Sequence, residues 1–411
     1  MQSLDQRIER ALSGRTPKSR IVILDRSRVE AREKCPWLRH LHYHIPVMVA
    51  GGRTAYGIMR KAAAVPLVTG ITMHHGLALI LQGADEDTAV AEAINEYNKI
   101  LETRGFQQQN DTPLRWIADE QRALGEGLVR AANRRAAQKI LQNYEILAVE
   151  EEILVWLGDV EDDRGGVTFL WAGRLDALLR DKQGFCSVLN WKTQKKWYDT
   201  DAAKLRLDMQ TVGEAWAASE YYKLPVSGVQ YVFMIKGEQR TDSQKNFKVT
   251  YNHLTRAWRT LGEMGSLKYA WRYYKEGTRQ QVLSKGMGFF TFEDYPGGIR
   301  AWVDHLDEGI VHPLDEGDPL ADLLRTPPAV SAGAAKIERW REQTLRDEHR
   351  WLLDLEDNRP PSRYENGFNC GAGDWKCQMY EICHEGEEPL TSGKFLPRDP
   401  NHPVELSIWE N

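Results

Sequence analysis

Apolar and polar residues follow two different rhythms along the chain, and the change between them organises it. In "DTAVAEAINEYNKILETRGFQQ" (87–108) and across 114–143, apolar residues recur every three or four positions, which predicts two amphipathic helices. Residues 71–82, "ITMHHGLALILQ", are apolar almost all round and predict a buried helix. Upstream, "VEAREKCPWLRHLHYH" predicts a helix opened by a capping box at Ser27 and Glu30, with Pro36 inside it or at a break. From residue 144 the period shortens. "YEILAVEEEILVWLG", "VTFLWAGRLDALLR" and "GFCSVLNWKT" are β-branched and aromatic runs between Asp/Gly-rich turns and predict three strands. A helix over "DAAKLRLDMQTVGEAWAASEYYK" and an apolar strand, "VSGVQYVFMIKG", follow.

Helices, three strands, a helix and a strand predict an α/β fold with a central mixed β-sheet flanked by helices. We expect an N-terminal helical part (1–145), a core (146–250) and a mainly helical C-terminal part (251–411), with a turn-rich stretch at 284–299. "DNRPPSRYENGFNCGAG" reads as a loop leading into a cysteine cluster.

Composition changes this picture little. The 411 residues, 42% hydrophobic and 27% charged, suit a soluble globular protein. A formal net charge of −5 means that a nucleic-acid partner would need a local basic groove. The longest stretch without Lys, Arg, Asp or Glu, Ala62 to Ala84, is broken by Pro66, Gly70 and Gly76 and makes a poor bilayer span. With the polar opening "MQSLDQRIERALSGRTPKSR", the expectation is a cytoplasmic protein. Five cysteines, an odd number, argue against a disulfide framework. Cys370, Cys377 and Cys383 cluster near the end, as metal-binding cysteines do.

The chemistry concentrates in "GRLDALLRDKQGFCSVLNWKTQKK" (173–196), two strands joined by a turn. Residues i and i+2 of a strand share a face, so Asn190 and Lys192 point the same way, while Asp176 lies on the partner strand. Phosphodiester hydrolysis needs a divalent metal and a nearby cation, and acid, amide and lysine can converge to provide them. The same spacing also suits an ordinary hairpin with solvated polar residues. Around it lie His74 of the His74–His75 pair, Lys195 and Lys196 as phosphate contacts, and Gln210 on the next helix.

Together these pieces resemble the PD-(D/E)XK nuclease superfamily, specifically its RecB-like, iron–sulfur branch, which includes CRISPR-associated and phage recombination exonucleases. The matching stretches are "SRVEAREKCPWLRHLHY", "GITMHHG", "GRLDALL", "LNWKT", "MQTVGEAW" and "CGAGDWKCQMYEICH", in the family's order from residue 27 to 384. The resemblance implies a restriction-endonuclease-like core whose helical ends are tied by a metal cluster. It makes His74 a metal ligand after Gly70, Asp176 the first metal carboxylate and Lys192 the catalytic lysine. Trp191 would lend its backbone carbonyl to Mg²⁺ or Mn²⁺. Gln210 matches a helical Q-x-x-x-Y motif, although Glu214 stands at the tyrosine position, and Glu150 corresponds to an acid on the preceding strand. Cys35, Cys370, Cys377 and Cys383 match the ligands of a 4Fe–4S cluster. Zn²⁺ with His384, or no metal, are the competing readings. Cys186 is left over as a buried structural residue.

Asn190 stands where the resemblance places a second carboxylate. Three readings remain open: a substitution introduced to trap substrate, a natural amide ligand, or a site that has lost cleavage. The implied function is a metal-dependent exonuclease acting on double- or single-stranded DNA ends in recombination, repair or phage and CRISPR DNA processing. The alternative is an inactive DNA-binding subunit that grips ends for a recombination or annealing protein. A homo-oligomer is compatible with the resemblance, and no membrane partner is expected.

Overall fold

A computed structural model describes residues 3–48, 54–61, 65–104, 114–194, 200–205, 209–235, 238–244, 247–252, 257–261, 267–270, 324–331, 333–363, 370, 377, 379–385 and 394–398. The N-terminal part contains α1 (Leu4–Leu12), β1 (Arg20–Asp25), α2 (Arg26–Lys34) and α3 (Pro36–Tyr43). Three short strands follow: β2 (Pro46–Met48), β3 (Thr54–Tyr56) and β4 (Ile58–Arg60). Then come α4 (Val65–Leu81), α5 (Glu86–Arg104), α6 (Leu114–Ala132), a π-helical turn (Asn133–Ala137) and α7 (Gln138–Asn143). The core strands are β5 (Tyr144–Val160), β6 (Val167–Asp181), β7 (Cys186–Gln194) and β8 (Val226–Ile235), with α8 (Asp201–Leu205) and α9 (Met209–Tyr222) between the last two. Beyond them lie β9 (Glu238–Gln244), β10 (Phe247–Asn252), β11 (Ala257–Leu261), β12 (Leu267–Ala270) and β13 (Leu324–Arg325). The chain ends with α10 (Ala334–Glu356), α11 (Tyr380–Glu385) and β14 (Phe395–Pro397).

Six strands form the central mixed sheet in the order β1-β6-β7-β8-β13, with β5 on the other edge of β6. β1 runs parallel to β6 and β7 antiparallel to it, and both lie along the same edge of β6. The β1 register ends at Asp25–Ala172, and the β7 register begins only at Leu189–Ala177. Residues 173 to 176 therefore have no strand partner on that edge among the described residues. The C-terminal ends of β1 and β7 meet head to head at this gap, a place where open α/β sheets bind ligands.

Two layers of helices sandwich the sheet, as the alternating strands require. Leu189 and Trp191 of β7 pack with Met73 and Leu77 of α4 and with Leu124 and Leu128 of α6. Val188 packs on the opposite side with Val212 and Trp216 of α9 and Trp340 of α10. By the same alternation Asn190 belongs on the α9 side. The hairpin turn is a local device: Asp181 Oδ1 accepts the N–H groups of Gln183 and Phe185, and Gly184 takes a φ of 89°.

The structure departs from expectation in three places. Asp25, not Ser27, caps α2, accepting the Arg28 N–H at 2.9 Å, because Arg26 is already helical, and Glu30 instead pairs with Arg26 one turn back. The long helix predicted through Pro36 is two helices: Cys35 is extended, as a residue before proline prefers, and Pro36 starts α3. After residue 250 the described chain opens with strands before helical α10: β11 and β12 extend β9 and β10 into an antiparallel four-stranded sheet. The turn-rich stretch 284–299 lies outside the described residues. No described helix is long and apolar enough to cross a membrane.

Charge ties the chain's two ends together. Arg39 of α3 donates to Glu348 of α10 at 2.5 Å, and Arg32 lies 3.0 Å from the same carboxylate. Glu348 is 1% exposed. Removing one member of a buried pair strands the other charge, at a cost of about 3–5 kcal/mol. Glu348→Ala should therefore lower unfolding stability by about that amount in urea denaturation. A change below about 1 kcal/mol would show that the pair does not hold α10 to α3.

Candidate active site

The gap in the β6 edge opens into a cleft of about 700 Å³ lined by Asp25, Gly70, His74, Glu150, Asp176 and Glu214, among others. Each side chain arrives by a separate route. Asp176 is the last residue of β6 before β7 joins it, and its Oδ2 accepts the Trp191 N–H at 2.7 Å. The carboxylate thus takes up a backbone donor at the position where the β6–β7 ladder ends. Its Oδ1 lies 3.3 Å from Nδ1 of His74 on α4. A methyl group on Gly70, one turn earlier on α4, would lie at an ordinary contact distance of 3.6 Å from Thr193 Oγ1, which places this turn of the helix beside the end of β7.

Glu150 completes the cluster from β5. Val149 pairs with Ala177 and Glu151 with Leu175, which sets Glu150 across from Asp176. Its φ is 50°, an uncommon conformation for a non-glycine residue. Such backbone strain gathers at functional sites, where the surroundings enforce it. One ligand atom each from His74, Glu150 and Asp176 lies within 4.8 Å of the others. Glu150 Oε2 also lies 3.0 Å from Arg174 Nε.

The electrostatics separate the two acids. Burial alone would raise the Asp176 pKa, but the charges of His74 and Lys192 and the Trp191 N–H outweigh it and hold the carboxyl below its usual range. Burial raises Glu150, and the charge of Asp176 adds to it. Burial would lower His74, yet contact with Asp176 prevails and raises it, while Lys192 acts in the opposite sense. Lys192 is partly buried, and its charge is felt at both His74 and Asp176.

Asn190 is 4% exposed and turned toward α9, where its Nδ2 donates to Glu214 Oε2 at 2.7 Å. A carboxylate only accepts, so this contact fixes the amide's orientation. Oδ1 of Asn190 is buried without a hydrogen-bond partner among the described residues. Asp176, His74 and Glu150 thus lie together in the cleft, with the Lys192 charge felt at two of them. Trp191 reaches the site through its N–H. The Gln210 side chain and all of Lys195 and Lys196 lie outside the described residues. Glu214, noted in the sequence only as a departure from a tyrosine, is the residue that sequence reasoning undervalued. Its signal was its place four residues after Gln210, one helical turn along the same face.

A family model for the PD-(D/E)XK nuclease superfamily matches residues 26–281. The chain belongs to the PD-(D/E)XK nuclease superfamily. The match runs from the start of α2 past β12 and takes in every residue of the cleft cluster. No curated protein matches the chain significantly. The donor set, two carboxylates and an imidazole whose ligand atoms lie within 4.8 Å of one another, fits the Mg²⁺ or Mn²⁺ that PD-(D/E)XK nucleases typically use.

The four cysteines expected to act together lie near enough for the charges of Cys35 and Cys370 to be felt at Cys377 and Cys383. Cys35 lies between α2 and α3, Cys377 donates its N–H to the Cys370 carbonyl at 2.9 Å, and Cys383 is on α11. Cys377 and Cys383 pack on a satellite core of Leu41, Ile58, Met379, Ile382 and Phe395. Burial raises both thiols, Cys383 to about 11, and the charges of Cys35 and Cys370 contribute. Cys186 sits apart in the sheet core, and the His384 ring lies 4.2 Å from that of Tyr380.

The His74–Asp176 contact has a defined pH window. The lowered carboxyl contributes stability that is lost as pH falls through its folded pKa. The raised imidazole contributes stability that is lost as pH rises through its own. In metal-free protein, NMR titration of His74 should give a pKa above 6.5, the ordinary value from which the contact raises it. Asp176→Asn should bring it below that value, since burial then acts against Glu150 alone. An unchanged His74 titration in Asp176→Asn would contradict the coupling.

Proposed function

We propose that this chain is a metal-dependent DNA exonuclease. The supporting observation is the cluster of His74, Glu150 and Asp176 in one cleft, within reach of the Lys192 charge. His74, Asp176, Asn190 and Glu150, with the Trp191 carbonyl, would hold Mg²⁺ or Mn²⁺. A bound divalent cation neutralises phosphate charge and makes water a nucleophile near neutral pH. Lys192 places a positive charge beside the scissile phosphate, and Gln210, by its match to the helical motif, would orient that lysine. Trp191 keeps Asp176 in place through its backbone, and burial of the cluster strengthens each of these interactions. Lys195 and Lys196, directly after β7, would carry phosphate contacts along the strand being cut.

Removing an electrostatic group of this kind slows turnover by about 10²- to 10³-fold. Degradation of linear DNA with Mg²⁺ or Mn²⁺ should therefore fall at least that far in Lys192→Ala and become undetectable in Asp176→Ala. Comparison with closed circular DNA distinguishes an end-directed enzyme from an endonuclease. The second reading, an inactive subunit that grips DNA ends, draws on the amide at position 190. It is upheld if the unaltered protein binds linear DNA but does not degrade it with either metal.

Cys35, Cys370, Cys377 and Cys383 are assigned to a 4Fe–4S cluster that clasps α3 to α11. Raised thiol pKa values mean that loading must displace protons, so assembly weakens as pH falls. Anaerobically purified protein should be brown, with four irons per cluster, and Cys377→Ala should lose the colour and melt at lower temperature. Stoichiometric zinc in colourless protein would replace the cluster with a zinc site.

A further inference from the structure

A second cavity lies on the edge of β5 that faces away from β6. Among the described residues β6 is the one strand partner of β5, so this edge is unpaired. α1 covers one face of the strand, packing with Leu154, and α9 covers the other, packing with Val155. Residues from the C-terminal ends of both helices enclose a cavity of about 320 Å³ here, lined by Arg10, Arg15, Trp156, Tyr221, Tyr222 and Lys223 among others. It shares no lining residue with the cleft. We propose that this cavity is a nucleotide site, which takes a phosphate on Arg15 and Lys223 and a base against its aromatic wall.

Charge is the first argument. Arg10, Arg15 and Lys223 line the cavity with one acid, Glu220, whose carboxylate lies 3.3 Å from Lys223 Nζ. That pair is exposed, and such pairs hold their partners weakly. Among the described residues neither arginine is paired with a carboxylate. Arg10 donates to the Tyr221 hydroxyl at 2.9 Å and Arg15 to the Leu12 carbonyl at 3.2 Å. A guanidinium has five N–H donors, so each keeps most of them for a ligand. In a chain of net charge −5, this surplus is a local basic site of the kind an anionic partner requires.

The rings are the second argument. The Arg10 guanidinium lies 4.0 Å from the centre of the Tyr221 ring, and that of Arg15 lies 4.4 Å from the centre of the Trp156 ring. A guanidinium held on a ring is pre-organised and still presents N–H groups to a phosphate. Aromatic and guanidinium planes are also the surfaces on which bases stack. The volume suits one small ligand, since such sites begin at about 300 Å³. The cavity is joined to the cleft through β5: Tyr221 donates to Glu151 at 3.2 Å, and Glu151 follows the cleft residue Glu150. From Glu150 to Trp156 the strand advances about 20 Å, so one DNA strand can occupy both places.

Binding is measured in EDTA, which makes the outcome independent of the metal-site reading. The unaltered chain, Arg15→Gln and Lys223→Asn are titrated with inorganic phosphate, thymidine monophosphate and a short oligothymidylate, and melting reports the fold. Asparagine tolerates the left-handed backbone at position 223, where φ is 55°, and both substituted positions are exposed. A nucleotide within a DNA strand is the expected occupant. Each variant should therefore bind oligothymidylate about 10- to 100-fold more weakly, with a salt-dependence slope lower by about 1 and unchanged melting. Weakening confined to thymidine monophosphate keeps the site and makes a free nucleotide its occupant. Inorganic phosphate bound as tightly as either nucleotide ligand overturns the proposal, because the rings then contribute nothing. Lower melting with unchanged affinity and salt slope means that the two side chains only cap helix ends, and this overturns it as well. So does unchanged binding of all three ligands in both variants, or an unaltered chain that binds none of them.

Discussion

One edge of strand β6 is shared by two partners that cannot both cover it. β1 occupies its first half and β7 its second, and residues 173 to 176 between them face no described strand on that edge. A central strand with an open edge exposes backbone groups that must find partners. Here the shortfall is met partly by side chains: Asp176 accepts the N–H of Trp191 just where the ladder stops. The cleft is thus a consequence of sheet topology, and its position decides which residues become chemical. Asp176 ends the unpaired stretch, Glu150 faces it from β5, and His74 reaches it from the helix that covers Trp191.

Collecting two acids, a histidine and a lysine in a half-buried cleft is tolerable only if their charges offset one another. Burial raises both acids, yet only Glu150 stays raised, because Asp176 has His74, Lys192 and a backbone donor around it. Neighbouring carboxylates with opposite shifts can take different roles at one pH. The same balance governs the far wall, where a neutral amide, not another acid, faces Glu214.

Described elements outside the cleft pack onto the sheet that carries it. α10 lies against the sheet through Trp340, whose ring stands edge-on to Trp171 at 5.1 Å and close to Trp216 at 5.4 Å. The buried Arg39–Glu348 pair binds that helix to α3, and α3 in turn packs with α11 and β14 in the satellite core that holds two of the cysteines. The α2–α3 pair, which begins where β1 stops at the cleft, is therefore where α10, α11 and β14 are joined to the N-terminal part.

Much of this was written in local pattern. Alternation over 144–193 and the helical period of 87–104 depend on which side of each element is buried, and that shows directly in the residue order. The hairpin holding Asp176 and Lys192 was legible for the same reason, as was the clustering of the last three cysteines. Partnership across the sheet was not legible. β1 is six residues long, and nothing local says that it lies parallel to β6, more than a hundred residues away. The capping of α2 depended on where β1 ended, so Asp25 displaced the more regular signal at Ser27. Asn190 looked like a missing acid for the same reason. Periodicity places it on a face of β7, but only the packing of α9 against that face brings Glu214 to its amide. Hydrogen bonds between elements depend on distances that the folded sheet and helices set, and no window of the sequence contains them.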